Sequence, residues 1–150
     1  MITFLGEYTG KIDDKGRLIL PSSFKSMLPS DKCIKLVVKK NLFEDCLDVF
    51  TFEEWERQSN VIKSGLNPYN PAHEAFWRKY TRSSSIVDPD PKLGRMLIPK
   101  SLLQSIGVDK EVVFSGNDYK IEIWAKEKYE SGEISMEEFL GIAEQLSQSR

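Results

Sequence analysis

Apolar positions along this chain come in short runs whose spacing switches between strand and helix periods. Over residues 7–12 they alternate, with Tyr8 and Ile12 on one side and Lys11 on the other, which predicts a strand. Asp13-Asp14-Lys15-Gly16 then reads as a turn, because an aspartate accepts hydrogen bonds from amides just ahead of it and a glycine takes the left-handed conformation that closes a short loop. Residues 17–20 (Arg-Leu-Ile-Leu) read as the strand returning from that turn, so the two are expected to form a hairpin. Pro21 has no amide to leave unpaired and suits the first turn of a short helix, with Phe24, Met27 and Leu28 on one face and Pro29 as its stop. Residues 35–39 and 46–50 predict a second strand pair. Thr51-x-x-Glu54 is a capping box for a helix over 52–63, and after a Gly-, Asn- and Pro-rich break Pro71 opens another helix with Ala72, Phe76 and Tyr80 spaced four apart. Ser83-Ser84-Ser85 reads as a joint.

The plan is then repeated. Ile86-Val87 predicts a strand, 88–94 a turn, 95–98 a strand and 99–106 a helix, while 112–115 and 120–124 pair around Gly116-Asn117-Asp118. Ser135-x-x-Glu138 caps a last helix whose Met136, Phe139, Leu140, Ala143 and Leu146 form an apolar stripe, to be buried on its own domain or on a neighbouring subunit. The repetition extends to wording: Lys15-Gly16-Arg17-Leu18-Ile19-Leu20-Pro21 returns 78 positions on as Leu93-Gly94-Arg95-Met96-Leu97-Ile98-Pro99. Leu47-Asp48-Val49-Phe50 likewise matches Ile121-Glu122-Ile123-Trp124 at an offset of 74, the first copy carrying the longer loop. Two copies imply two half-domains, neither large enough to be stable alone.

Composition narrows the chemistry. With 150 residues and 40% hydrophobic side chains, the chain can bury one core of ordinary size. Its apolar runs are four or five residues long, and Met1 to Gly6 lacks the basic region and apolar stretch of a signal peptide, so a cytoplasmic protein with no membrane partner is expected. The net charge of −2 is unevenly spread: residues 1–43 hold eight Lys/Arg and four acids, residues 122–150 seven acids and three bases. A basic face can therefore meet an anion while an acidic tail points elsewhere. Cys33 and Cys46 have no C-x-x-C spacing and read as small buried hydrophobes. His73, the one histidine, reads as structural, and one histidine with two scattered cysteines makes no standard zinc site. Adjacent acids such as Glu53-Glu54 point in different directions, no phosphate-binding or dinucleotide-binding glycine pattern occurs, and Trp55, Trp77 and Trp124 read as core. No cofactor, metal or catalytic residue is expected.

What remains is the pair Arg17 and Arg95. A guanidinium is planar and permanently charged, and it can bridge two phosphate oxygens or the O6 and N7 of guanine, which a lysine cannot. Set after Gly16 and Gly94, each projects from a rigid turn. Asp13 would repel phosphate, so its expected work is to hold the loop through backbone or arginine hydrogen bonds, while Lys11, Lys15 and Lys92 are placed to add phosphate contacts.

Asp13-x-x-Gly16-Arg17 running into Leu18-Ile19-Leu20-Pro21, the return around Gly94-Arg95, and Gly116 with Glu122-Ile123-Trp124 resemble the MraZ proteins, bacterial members of the AbrB-like swapped-hairpin superfamily, over nearly the whole chain. The resemblance implies an α+β fold: a pseudo-symmetric, duplicated swapped-hairpin β-barrel of double-psi type with peripheral helices, one compact unit. On this basis the chain divides into a first half (7–54), a helical connection (55–82), a second half (83–126) and a helical tail (127–150). The resemblance further implies a sequence-specific DNA-binding transcriptional regulator, mainly a repressor, assembled as a closed ring. Its partners would be short direct repeats of duplex DNA upstream of the division and cell-wall gene cluster, and its place the nucleoid. The family motif sets an aspartate four residues before the arginine, as in Asp13 and Arg17. In the second copy that position is Pro91, and Asp90 stands five residues before Arg95. Two rivals are an antitoxin-like regulator whose tail helix holds a toxin protein, and an enzyme on a related barrel, for which no nucleophile or cofactor loop is present.

Overall fold

A computed structural model describes residues 2–29 and 34–149. It has eight strands: β1 (Phe4–Lys11), β2 (Arg17–Ile19), β3 (Leu36–Lys40), β4 (Cys46–Thr51), β5 (Ser84–Val87), β6 (Arg95–Leu97), β7 (Glu111–Asp118) and β8 (Lys120–Ala125). Six helices accompany them: α1 (Ser22–Lys25), α2 (Phe52–Ser64), α3 (Pro71–Arg82), α4 (Lys100–Ser105), α5 (Lys126–Ser131) and α6 (Met136–Gln148). The fold is α+β, with a six-stranded antiparallel sheet in the order β1-β7-β8-β4-β3-β5 and a two-stranded ribbon of β2 and β6.

The two expected hairpins do not form. β1 pairs with β7 over its whole length, from Phe4 opposite Asp118 to Lys11 opposite Glu111, and β2 pairs with β6. In the other half β5 pairs with β3, so each half's first strand is held on the third strand of the opposite half. The reason lies in Pro21 and Pro99, which follow strands of three residues and donate no hydrogen bond to continue them. Such short strands gain most by pairing with each other, which leaves Leu18 and Met96 without solvent exposure between ribbon and sheet. The turns themselves close locally, through Asp13 N–H to the Arg17 carbonyl (3.0 Å) and Asp90 N–H to the Arg95 carbonyl (3.0 Å).

The expected pairings β3–β4 and β7–β8 are present. Leu18 faces Met96 across the ribbon, and Asp48 faces Glu122 across the central strands β4 and β8. Both are pairs of repeat-equivalent positions, so one local two-fold axis runs through ribbon and sheet. The core fills the space between them: Leu47, Val49, Ile121 and Ile123 from the sheet meet Leu18 and Met96, with Phe24 and Leu28 closing one side and Leu102 and Leu103 the other. Met27, expected on the buried face, is exposed, because α1 lasts only four residues. Ser83 ends α3 as its C-cap, and Ser84 and Ser85 begin β5. Cys46 is buried, while Cys33 lies outside the described residues.

At Gly116 in β7 the facing strand comes very close. A Cβ there would sit 2.7 Å from the Leu5 N and Cα, which are backbone and cannot swing away. Gly116→Ala is expected to prise β1 off the sheet and cost roughly 1–3 kcal/mol, checked by urea unfolding.

The sheet face away from the ribbon carries charge. Lys120 Nζ donates to Asp48 Oδ1 (2.9 Å) and lies 3.1 Å from Glu122 Oε2, and Asn41 Nδ2 donates to both Asp48 oxygens. Tyr80 covers Lys39, whose ammonium lies 4.0 Å from the ring centroid, and Tyr129 packs edge-on against Trp124. The last helix is capped as expected, Ser135 accepting from the Glu138 N–H, but no residue of α6 is buried on the rest of the chain.

Candidate nucleic-acid interface

Strand alternation decides what the ribbon shows. With Leu18 and Met96 turned inward, Arg17 and Ile19 on β2 and Arg95 and Leu97 on β6 all project outward. The register sets Arg17 opposite Leu97 and Ile19 opposite Arg95, so the two arginines occupy diagonal corners of one exposed patch. They stand side by side on a single face, not at two separate hairpin tips. Diagonal neighbours in such a ladder have Cβ atoms roughly 7–8 Å apart, close enough for two like charges to need local compensation.

Each arginine has its own aspartate. Asp13 accepts from the Lys15 N–H (2.9 Å), the Arg17 N–H (2.8 Å) and Arg17 Nε (2.7 Å). Asp90 accepts from the Lys92, Leu93 and Arg95 N–H groups (3.0, 2.9 and 2.9 Å) and from Arg95 Nε (3.1 Å). The extra residue of the second loop is absorbed between Asp90 and Gly94, and it brings one more amide onto the carboxylate. Each loop is also tied to the other half: Leu20 donates to the Gly94 carbonyl (2.8 Å) and Ile98 to the Gly16 carbonyl (3.2 Å). Gly16 and Gly94 have φ of 79° and 73°, a conformation that costs other residues roughly 1–2 kcal/mol.

Only Nε of each guanidinium is engaged. The Nη groups of Arg17 and Arg95 have no partner among the described residues, and the side chains are 37% and 44% exposed. The free edge is the two-nitrogen fork that pairs with two acceptors at once. Lys15 and Lys92 lie exposed in the loops beside this face. Lys11, also exposed, ends β1 in the large sheet, opposite Glu111. Lys25, which sequence reasoning passed over, reaches across from α1 to donate to the Lys92 carbonyl (2.8 Å) and so props the second loop from the first half. Nothing local marks it, since its partner is 67 positions away.

Amide hydrogen bonds hold both carboxylates down. The Arg17 amide is the main cause at Asp13, and the Leu93 and Arg95 amides keep Asp90 well below the usual carboxylate range. A carboxyl depressed on folding stabilises above its unfolded pKa of ~4 and loses that contribution only as pH falls through the lower folded value. Protection of the Lys92, Leu93 and Arg95 amides in hydrogen exchange is therefore expected to stay level from about pH 8 to pH 5 once corrected for intrinsic rates. Asp90→Ala should remove it throughout.

The remaining polar groups offer little catalytic chemistry. Burial pushes the Cys46 thiol up to about 12, and although the ligand atoms of Cys46, Asp48 and Glu122 lie within 4.8 Å of one another, the Lys120 ammonium already bonds both carboxylates. His73 Nδ1 accepts from the Asn67 N–H (2.8 Å) at the α2–α3 turn. An open groove beside the first loop is bordered by Asp13, Asp14 and Asp109 and also by Lys15 and Lys100, so it carries both signs of charge. No helix among the described residues is long and apolar enough to cross a membrane.

Comparison with known proteins agrees with the duplicated motif. The family model described as "MraZ protein, putative antitoxin-like" matches residues 3–79 and 81–145. A protein of Bacteroides thetaiotaomicron named transcriptional regulator MraZ is 37% identical over 146 residues, 97% of this chain and 93% of its own length. Proteins of the same name from Bacteroides fragilis and Dictyoglomus thermophilum are 40% and 39% identical, covering 87% and 85% of this chain and 82% of each relative. The chain belongs to the MraZ family, a family of transcriptional regulators and not of enzymes.

Proposed function

We propose that the protein regulates transcription, as a repressor, by laying the β2–β6 ribbon into the major groove of duplex DNA. One observation carries this: pairing β2 with β6 gathers both guanidinium groups on one exposed face, each fixed by its own aspartate with its fork free. The major groove admits a two-stranded ribbon, and a guanidinium fork fits the O6 and N7 of guanine. Asp13 and Asp90 act as loop supports with Gly16 and Gly94, while Lys15 and Lys92 meet phosphates, with Lys11 further out. Exchange of first strands between the halves 7–54 and 83–126 supports the swapped-hairpin reading of the fold, with 55–82 as connection and 127–150 as tail. The sites would be short direct repeats upstream of the division and cell-wall gene cluster, and the protein would work in the cytoplasm at the nucleoid.

The chain as a whole carries a net charge of −2, so one subunit is a weak DNA binder and several copies must act together. The tail is suited to joining them. α6 is a 13-residue helix with Gly141 inside it and Met136, Phe139, Leu140, Ile142 and Leu146 exposed. An isolated helix of this length is marginal in water, so its apolar side needs a cover. It has acids at Glu137, Glu138 and Glu144 and no base, whereas α3 shows Arg78, Lys79 and Arg82 around an exposed Phe76. A contact between such unlike patches on two copies is head-to-tail, and it gives a ring where the rotation between copies closes. Light scattering should return a multiple of 17.2 kDa for the full chain and small species after deletion of 133–150, with about 10²-fold weaker binding to multi-repeat DNA. A full-length monomer would contradict the ring.

The second reading, an antitoxin, is favoured by the same unburied α6. It predicts that a small basic protein co-purifies with the full chain and is lost on that deletion. The test of the main reading is footprinting on DNA upstream of the protein's own gene: protection of regularly spaced repeats, weakening steeply with salt, is expected, and no protection at low salt would refute it.

A further inference from the structure

Ile19 and Leu97 sit in the middle of the ribbon's charged face, outside the buried core. They are 56% and 63% exposed, while their inward neighbours Leu18 and Met96 have no exposure at all. Strand alternation fixes this division, so the two aliphatic groups cannot turn into the core. They are repeat-equivalent positions, and each lies directly across the ribbon from an arginine: Leu97 from Arg17, Ile19 from Arg95. The outward patch is thus two forks and two branched aliphatic groups in alternation.

A surface made only to grip phosphate gains nothing from aliphatic groups between its cations. A protein partner docking here would bury two guanidinium forks that have no partners among the described residues, which is costly unless acceptors are supplied. The floor of the major groove supplies both requirements: guanine O6 and N7 for the forks, and the C5 methyl of thymine as its apolar feature.

We propose that Ile19 and Leu97 are specificity-determining residues that contact thymine C5 methyl groups next to the bases met by Arg17 and Arg95. This rests on the DNA-binding reading above. It adds that each half-site combines a fork contact with an apolar one, so that the preferred duplex contains thymine beside guanine.

The test uses the full chain and the duplex it protects in footprinting, synthesised once with thymidine and once with deoxyuridine at every protected thymine. The exchange removes only the methyl groups and leaves pairing and phosphates unchanged. Wild-type affinity is expected to drop about fourfold for each contacted methyl. Ile19→Ala/Leu97→Ala should bind both duplexes alike, near the wild-type affinity for the deoxyuridine form, and each single variant should keep part of the difference. Equal wild-type binding to the two duplexes overturns the proposal, as does a double variant that folds with wild-type melting and keeps the wild-type ratio. A wild-type protein that protects no duplex defeats the DNA-binding reading itself, an outcome distinct from both.

Discussion

Arg17→Ala and Arg95→Ala are each expected to abolish specific DNA binding while leaving the fold intact. Among the described residues each guanidinium bonds only through Nε, and the side chain is partly exposed, so its removal opens no cavity. The loops should survive as well, because Asp13 and Asp90 keep their bonds to backbone amides. One base-reading arginine is worth roughly 1–3 kcal/mol of discrimination, about 5- to 150-fold. In a ring the loss recurs in every subunit on the DNA, and avidity falls with it. Arg17→Lys separates charge from shape: it should retain binding to unrelated duplexes but lose the preference for the operator, since an ammonium has no fork. Gel-shift titrations with operator and scrambled duplex, beside thermal melts, measure all three variants.

The second large effect concerns stability. Lys120→Met is expected to destabilise the fold by roughly 3–5 kcal/mol. Burial lowers the pKa of the Lys120 ammonium, but hydrogen bonds and attraction from Asp48 and Glu122 outweigh this and raise it. Asp48 and Lys120 have side chains only 7% and 10% exposed, so without the ammonium two carboxylates face each other across the local two-fold axis with little water to screen them. Adding Asp48→Asn and Glu122→Gln to Lys120→Met should recover most of the loss, because the repelling charges go with their partner. Urea midpoints at constant slope report the change, and recovery in the triple variant identifies charge burial, not packing, as its cause.

Much of this molecule was legible from local signals. Thr51-x-x-Glu54 and Ser135-x-x-Glu138 did cap α2 and α6, Pro71 did open α3, and the expected strand pairs β3–β4 and β7–β8 did form. The partners of β1, β2, β5 and β6 were not legible. Asp13-x-x-Gly16 closes its turn with the same hydrogen bonds whether the flanking strands pair with each other or diverge, and the deciding contacts of those strands lie 76 to 114 positions away. The repeat held the missing information: two copies of a strand too short to stand alone are natural partners, and Leu18 opposite Met96 is the result. Within the candidate site, the arginines and aspartates were readable from their motif. Lys25, Ile19 and Leu97 were not, because their meaning comes from the face the ribbon presents and from a loop in the other half. The burial of α6 was left open between its own domain and a neighbour, and among the described residues none of its side chains is buried.

Replacing the protected guanines by 7-deazaguanine removes the N7 acceptor that Arg17 and Arg95 would meet in the major groove and leaves pairing in place. Wild-type protein is expected to bind the modified duplex much more weakly than the natural one, while Arg17→Ala/Arg95→Ala binds both equally poorly. Undiminished wild-type binding to the modified duplex, together with loss of binding when inosine removes the minor-groove amino group, would contradict guanine contact in the major groove.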